Sequence, residues 1–392
     1  MLALIDCYII DMLSNSKPQI GSILIDQGEI IQIGKIKIPE GMKAKTISLK
    51  NKYILPGLVD SHTHLCMTCS QHELYHGVAA LDDITVAFYA IENAKNAINH
   101  GITSVRDVGG QNYIEMHLKE LIDSGKIDGP RIYSAGKVIT TTGGHLWRLG
   151  VEADSEKEVI KALKEQIKAG GWLIKMIVTG GVMTKGSQPH FLQYDEKILK
   201  SAVRAAHELD KKVTGHIANE RGLKEAVKSG IDSVEHALPE KPNTLAEMLK
   251  NGIVSVPTMV TYPSWHDSKD RLNAPQYFLD KKNSMDPNHK RKILEKAHQE
   301  GLKIAAGTDA GVPYVPFGNL ADEIKIFSEC GFSNYEAISS ATSLASELIG
   351  DEKIGKIKVG CWADLLVFND NPLDDISRLK FPKMVIKSGK II

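Results

Sequence analysis

Five short stretches of this chain carry residue types that bind metal ions or move protons, and each lies in or at the end of an apolar run. They are Asp60-Ser61-His62-Thr63-His64, Lys175 inside Trp172-Leu173-Ile174-Lys175-Met176-Ile177-Val178, then His216, Glu235-His236 and Thr308-Asp309. In an extended strand alternate side chains share a face, so His62 and His64 point the same way and can grip one ion. Imidazole and carboxylate suit Zn²⁺ and related divalent ions. One H-x-H alone reads equally as two unrelated polar residues, and a lone histidine is more often a hydrogen-bonded structural residue. Independent structural roles do not, however, place every such residue toward the C-terminal end of a strand. Lys175 adds a further chemistry. An ammonium in an apolar strand is costly unless paired or neutralised, and burial depresses its pKa. The neutral amine can add CO₂ and become a carbamate, an anionic two-oxygen ligand able to bridge two metal ions. The plainer alternative pairs Lys175 with Asp309 or Glu235.

These residues need a scaffold that brings strand ends together. Eight apolar runs read as strands, at 54–60, 103–108, 131–135, 173–178, 212–216, 233–236, 254–257 and 304–308. Helical patterns separate them. Ser155-x-x-Glu158 is a capping box leading into Val159, Ile160, Leu163 and Ile167, and Ser333-x-x-Glu336 and Thr244-x-x-Glu247 repeat it. Asp286-Pro287 places a cap and then a proline at the first helical position. A helix from Asp195 carries Ile198, Leu199, Ala202, Val203, Ala206 and Leu209 on one face. Alternating units of this kind predict an α/β fold, a (β/α)₈ TIM barrel over 55–350, whose strand ends open into one mouth. An open doubly wound sheet competes, but the first unit lacks a G-x-G-x-x-G phosphate loop. The two ends differ from the middle. Residues 1–54 and 351–392 hold β-branched runs and two hairpin signals, around Gly28 and around Ser388-Gly389. Neither end can bury a core alone, which predicts a small β-sandwich domain formed jointly by both termini.

Composition narrows the function classes. Forty-eight basic and 48 acidic side chains give a formal net charge of +0, which argues against a general nucleic-acid binder. No apolar run of ~18 residues is available to span a membrane. The opening stretch carries Asp6 and Asp11 without a basic lead-in, a poor signal peptide. Five cysteines are odd in number and sparse, fitting reduced thiols in a cytoplasm. Cys66-x-x-Cys69 has no second pair and reads as loop thiols. The basic stretch 281–291, with Asp280 and Asp286 beside it, reads as a solvated face, and His100, His117, His207, His289 and His298 as surface positions on helices. His72, Tyr75 and His76 are candidates for the mouth of the barrel. A serine hydrolase is disfavoured because no G-x-S-x-G elbow is present.

The order of these motifs resembles the amidohydrolase superfamily of metal-dependent hydrolases, in particular its prolidase-like and imidazolonepropionase-like branch. The resemblance is carried by 55–64, 174–182, Gly215-His216, Glu235-His236-Ala237, 307–311 and the C-terminal 355–366 with Asn371-Pro372-Leu373. It implies two divalent metal ions, zinc by ligand type. His62, His64 and Asp309 would hold the more buried one, and His216 and His236 the other. Carboxylated Lys175, as its CO₂-derived carbamate, and a hydroxide would bridge both. Asp309 would move the proton from the attacking water to the leaving nitrogen, and His145, in Thr142-Gly143-Gly144-His145, would touch the substrate. Some relatives carry a tyrosine two positions after the fifth-strand histidine. Here that position is Ala218, which leaves specificity for a C-terminal proline open. The activity implied is cleavage of the C–N bond in a dipeptide or N-acyl amino acid, within a homo-oligomer and with no nucleic-acid or membrane partner. A cyclic amide, lactone or phosphoester would be open to the same attack. A non-catalytic scaffold is disfavoured because all six ligand positions are kept.

Overall fold

Gly57 is where the chain leaves one sheet and enters another. Its own N–H donates to Asp364 O at 2.8 Å, while the next N–H, of Leu58, donates to Gly101 O at 3.0 Å. A side chain at position 57 would collide with Thr103, so only glycine fits the crossing. The single strand expected over 54–60 is therefore two: Tyr53–Pro56 in a terminal sheet and Leu58–Thr63 in the barrel. The computed structural model describes residues 1–38, 40–268 and 273–392.

The terminal sheet joins both ends of the chain. Tyr53–Pro56 pairs parallel with Leu2–Ile9 on one side and antiparallel with Leu365–Phe368 on the other. The first hairpin, Gln19–Asp26 with Glu29–Gly34, turns at Gln27 (φ 48°) and Gly28 (φ 82°). Positive φ at both turn positions matches the right-handed twist of the flanking strands. The C-terminal hairpin, Met384–Lys387 with Lys390–Ile391, repeats this at Ser388 and Gly389. Leu4, Ile23, Ile54, Leu365 and Ile386 close a core separate from that of the barrel.

The middle of the chain is a (β/α)₈ barrel. After Leu58–Thr63 come Ile102–Asp107, Arg131–Ser134, Ile174–Ile177, Val213–His216, Ser233–Glu235 and Val254–Val256, with parallel neighbours. Between the third and fourth strands, Trp172 N donates to Ser134 O at 2.7 Å, and a short continuation, Val138–Thr140, pairs with the fourth. The eighth strand is a run of single hydrogen bonds. Ala305 N donates to Ser255 O, Ser61 N to Ala306 O, Asp309 N to His62 O and His64 N to Ala310 O. These bonds close the barrel between the seventh strand and the first.

Most helix starts follow the sequence signals. Both Ser155/Glu158 and Ser333/Glu336 form complete capping boxes, and Asp286 caps the proline-led helix Pro287–Gln299. Thr244 does not cap. Pro242 opens its helix two positions earlier, and the Thr244 hydroxyl donates to Glu220 instead. Two helices not foreseen from periodicity, Thr261–Asp267 and Gln276–Asn283, are inserted after the seventh strand. Together with Pro287–Gln299 they bring residues over the barrel mouth. None of the described helices is long and apolar enough to cross a membrane.

Candidate metal centre

At the C-terminal end of the first strand His62 and His64 lie on one face, as the strand's period requires, and both aim Nε2 at one carboxylate oxygen. Asp309 Oδ1 is 3.3 Å from His62 Nε2 and 3.4 Å from His64 Nε2. The opposite ring atoms are spoken for. His64 Nδ1 meets the carbonyl of Gly109 at 3.0 Å, and a carbonyl only accepts, so Nδ1 carries the proton and Nε2 presents a lone pair. His62 Nδ1 meets Glu235 Oε2 at 2.6 Å. Three acceptors thus converge within 4.8 Å of one another, an arrangement that a cation completes.

The remaining imidazoles continue this cluster. Ring centroids are 4.8 Å apart for His62 and His236, 4.6 Å for His236 and His216, and 4.5 Å for His216 and His145. His236 Nδ1 is held by Thr258 Oγ1 at 2.9 Å. Lys175 stands in the fourth strand, 1% exposed. Among the described residues, His62 Nε2, Lys175 Nζ, His216 Nε2 and Asp309 Oδ1 are all buried without a hydrogen-bond partner. Buried polar atoms are almost always satisfied. Four unsatisfied ones around one cavity form a donor set whose chemistry fits a metal ion. The pairing of Lys175 with Asp309 or Glu235 is not formed.

The charge states suit ligation. Burial pushes the His64 imidazole down to about 4 and the His145 imidazole to about 3, and holds His216 and His236 well below their usual value. All four are neutral donors at neutral pH. His62 goes the other way. Burial and Lys175 lower it, but Asp309 and Glu235 outweigh them, so the site calls for positive charge at this point. Burial also lowers the Lys175 amine to about 8. About a tenth of the amine is then neutral at pH 7.

Two supporting residues were not singled out in the sequence. Arg106, inside the second strand, donates to Glu235 Oε1 from Nη2 and to Ser61 O from Nε, which fixes Glu235 behind His62. Burial alone would raise the Glu235 carboxyl, but Arg106, His62 and Lys175 hold it well below the usual carboxylate range. The signal was weak: unlike Lys175, Arg106 stands in a strand with Thr103, Ser104 and Asp107, where a charge does not stand out. Asp60 is the second. It accepts from Thr308 N at 3.0 Å and from Thr308 Oγ1 at 2.6 Å, tying the first strand to the residue before Asp309. Asp309 itself sits at φ 61°, a conformation uncommon for a side-chain-bearing residue and concentrated at functional sites.

A cavity of 420 Å³ opens beside these residues, lined among others by His62, His64, His145, Lys175, His216 and His236. Ala218 lines it too, with a methyl where a hydroxyl was the alternative. His145 Nδ1 lies 3.1 Å from Thr184 Oγ1, which also accepts from Leu146 N, so this hydroxyl orients the ring whose other edge faces the cavity. His72, Tyr75 and His76 do not line this cavity. Cys66 and Cys69 are unpaired thiols, with Cys66 Sγ 3.5 Å from Glu115 Oε2. The expectation of a solvated basic face at 281–291 holds only in part: Asn283, Asn288 and His289 are exposed, but Lys282 and Lys290 are half-buried and, with His289, line the cavity. The inserted helices turn them inward, and periodicity along the chain gives no sign of that.

A barrel with a sheet from both termini and a ligand set at its strand ends defines a class, and the family comparison names it. The amidohydrolase family model matches residues 53–392, and the chain belongs to that family. It is a hydrolase. Among solved structures it is similar to a Xaa-Pro dipeptidase with bound methionine in the active site, at 31% identity and a TM-score of 0.90, covering 100% of this chain and 99% of that one. A prolidase complexed with N-methylphosphonate-L-proline matches at 26% identity and TM-score 0.90, covering 100% and 99%. Among curated proteins, the ochratoxinase of Aspergillus niger is 28% identical over 369 residues, 86% of this chain and 75% of that protein.

Proposed function

We propose that this chain is a binuclear metal-dependent amidohydrolase that cleaves the C–N bond of a dipeptide or an N-acyl amino acid. The observation that carries the reading is the set of four buried, partnerless polar atoms of His62, Lys175, His216 and Asp309 around one cavity. Imidazoles, one carboxylate and one amine convertible to a carbamate form a donor set that suits two zinc ions. His62, His64 and Asp309 would hold one and His216 and His236 the other, with carboxylated Lys175 between them. Bound, the ions would lower the pKa of a shared water and polarise the scissile carbonyl. Asp309, whose Oδ1 faces both His62 and His64, is placed to take the proton of that water and pass it to the leaving nitrogen. His145, held neutral and lining the cavity, is placed to touch the substrate at its carbonyl oxygen. The similarity to a Xaa-Pro dipeptidase and a prolidase supports an amide between two amino acids. Unpaired thiols at all five cysteines suit the cytoplasm.

Elemental analysis of the purified protein, paired with hydrolysis of a panel of dipeptides and N-acyl amino acids, tests the reading. About two metal equivalents per chain and turnover of at least one amide are expected, with His216→Asn inactive yet folded because it removes a ligand and no core volume. An active protein free of metal, or a His216→Asn variant with unchanged kinetics, would overturn it.

A further inference from the structure

The inserted helices carry two lysines into the cavity, one from each side of the short link at Ser284–Asp286. Lys282 comes from the end of Gln276–Asn283 and Lys290 from the first turns of Pro287–Gln299. Both ammonium groups lie over the ring of Tyr262, at 5.5 Å and 4.9 Å from its centroid, and Lys282 also stands 5.9 Å from the ring of Phe278. Lys290 Nζ donates to Pro257 O at 2.8 Å. Among the described residues, neither lysine has a carboxylate within ion-pair distance. The acidic side chains lining the same cavity are engaged elsewhere or stand at its rim. Asp309 faces His62 and His64, and Asp286 caps its helix through Asn288 N. Glu220 accepts from Glu240 N and Thr244 Oγ1, and Glu240 is exposed.

Two half-buried ammonium groups held over aromatic faces, with no carboxylate in ion-pair range among the described residues, are only partly compensated. Burial lowers both from the ordinary lysine range to about 8, partly offset by Asp309 for Lys282 and by Glu323 and then Asp309 for Lys290, and both line the cavity that Asp309 lines. Tyr262 and Phe278 account for an attraction to cations but leave ammonium protons unused, since Lys290 spends one on Pro257 and Lys282 makes no hydrogen bond among the described residues. A carboxylate is the group that fills such a gap.

We infer that Lys282 and Lys290 form a carboxylate subsite that receives the free α-carboxylate of the leaving amino acid. The inference rests on the amide-hydrolase reading and adds to it the residues that would recognise the acid end of the substrate. Substrates end in a free acid directly after the scissile bond, and peptides extended beyond that residue or blocked as amides are poor. His145 is then left to the carbonyl oxygen.

The test uses zinc-loaded protein and matched pairs, N-acetyl-L-phenylalanine, N-acetyl-L-methionine and L-alanyl-L-proline, each against its C-terminal amide. Hydrolysis and calorimetric binding are both read, for the parent, Lys282→Met, Lys290→Met and Lys282→Arg. The expected parent preference for acid over amide is about 100-fold. Each methionine variant should lower it by about tenfold, chiefly through KM, as loss of one charge-assisted hydrogen bond does. Lys282→Arg should restore most of it. Acids and amides hydrolysed equally by the parent would overturn the subsite and leave the amide-hydrolase reading standing. With no hydrolysis at all, lysine-dependent binding of N-acetyl-L-phenylalanine over its amide would support the subsite and count against the reaction. Equal binding of acid and amide would overturn the subsite.

Discussion

Replacing Glu235 by glutamine keeps the shape of the site and removes one charge, which separates two jobs that this carboxylate performs. Glu235 is 0% exposed and accepts from His62 Nδ1 at 2.6 Å, from Arg106 Nη2 and from Thr214 Oγ1. A glutamine amide has one oxygen, so its NH₂ must face either Arg106 or His62. Facing Arg106, itself 2% exposed, it leaves a buried guanidinium without its counter-charge, a loss of about 3–5 kcal/mol. For a chain of this length, with about 2.1 cal/mol/K of unfolding entropy per residue, that lowers Tm by roughly 4–6 °C. Through His62, the lost carboxylate should weaken metal binding by about 10- to 100-fold. The double variant Arg106→Met/Glu235→Gln removes the stranded cation as well. It should recover most of the lost stability and none of the metal affinity. Melting in a chelator reads the first quantity, and competition against a chromophoric chelator reads the second. A Glu235→Gln protein that melts within a degree of its parent and binds metal equally well would refute the reasoning, as would a double variant less stable than the single one.

Lys175→Ala should be inactive but partly rescued when a short carboxylic acid is supplied with the metal, because an anionic bridge is the missing piece; full activity without the acid would exclude the carbamate. His145 supplies a pH signature in the metal-free protein. Burial, reinforced by Lys281, depresses its folded value to about 3. Its contribution to stability is therefore complete above the unfolded value of about 6.5 and is lost as pH falls toward 3, by about 2 kcal/mol between pH 7 and pH 5. Melting temperatures of the parent and His145→Gln should accordingly converge over that interval, and a constant gap between them would contradict the assignment.

Much of the site was legible because strand period and strand ends are local properties. His62-Thr63-His64 puts two imidazoles on one face whatever surrounds it, and a barrel's strand ends share a mouth, so His216, Glu235-His236 and Asp309 could be grouped before any coordinate was known. Lys175 stood out as a charge in an apolar run, whereas Arg106 is hidden among Thr103, Ser104 and Asp107. What was not legible depends on contacts distant in sequence. Arg106 meets Glu235 across the barrel interior. The expected strand over 54–60 breaks because Gly57 must pass Thr103. Thr244 gives up its cap because Glu220, on a neighbouring helix, takes its hydroxyl proton. No window of sequence contains both partners of any of these.

The sequence alone determined the barrel with its composite terminal sheet and the metal-binding residue types, since periodicity, turn chemistry and donor chemistry are written residue by residue, and the order of its motifs carried the family resemblance. Only the tertiary structure decided which buried atoms lack partners and which lysines of 281–291 face inward. Hydrogen-bond satisfaction and side-chain direction on inserted helices are set by packing against residues far along the chain. Lys281 shows the distinction well. It is adjacent to Lys282, yet its ammonium reaches the carbonyls of Gly181, Val182 and Thr184 and braces the loop behind His145, while Lys282 faces the cavity.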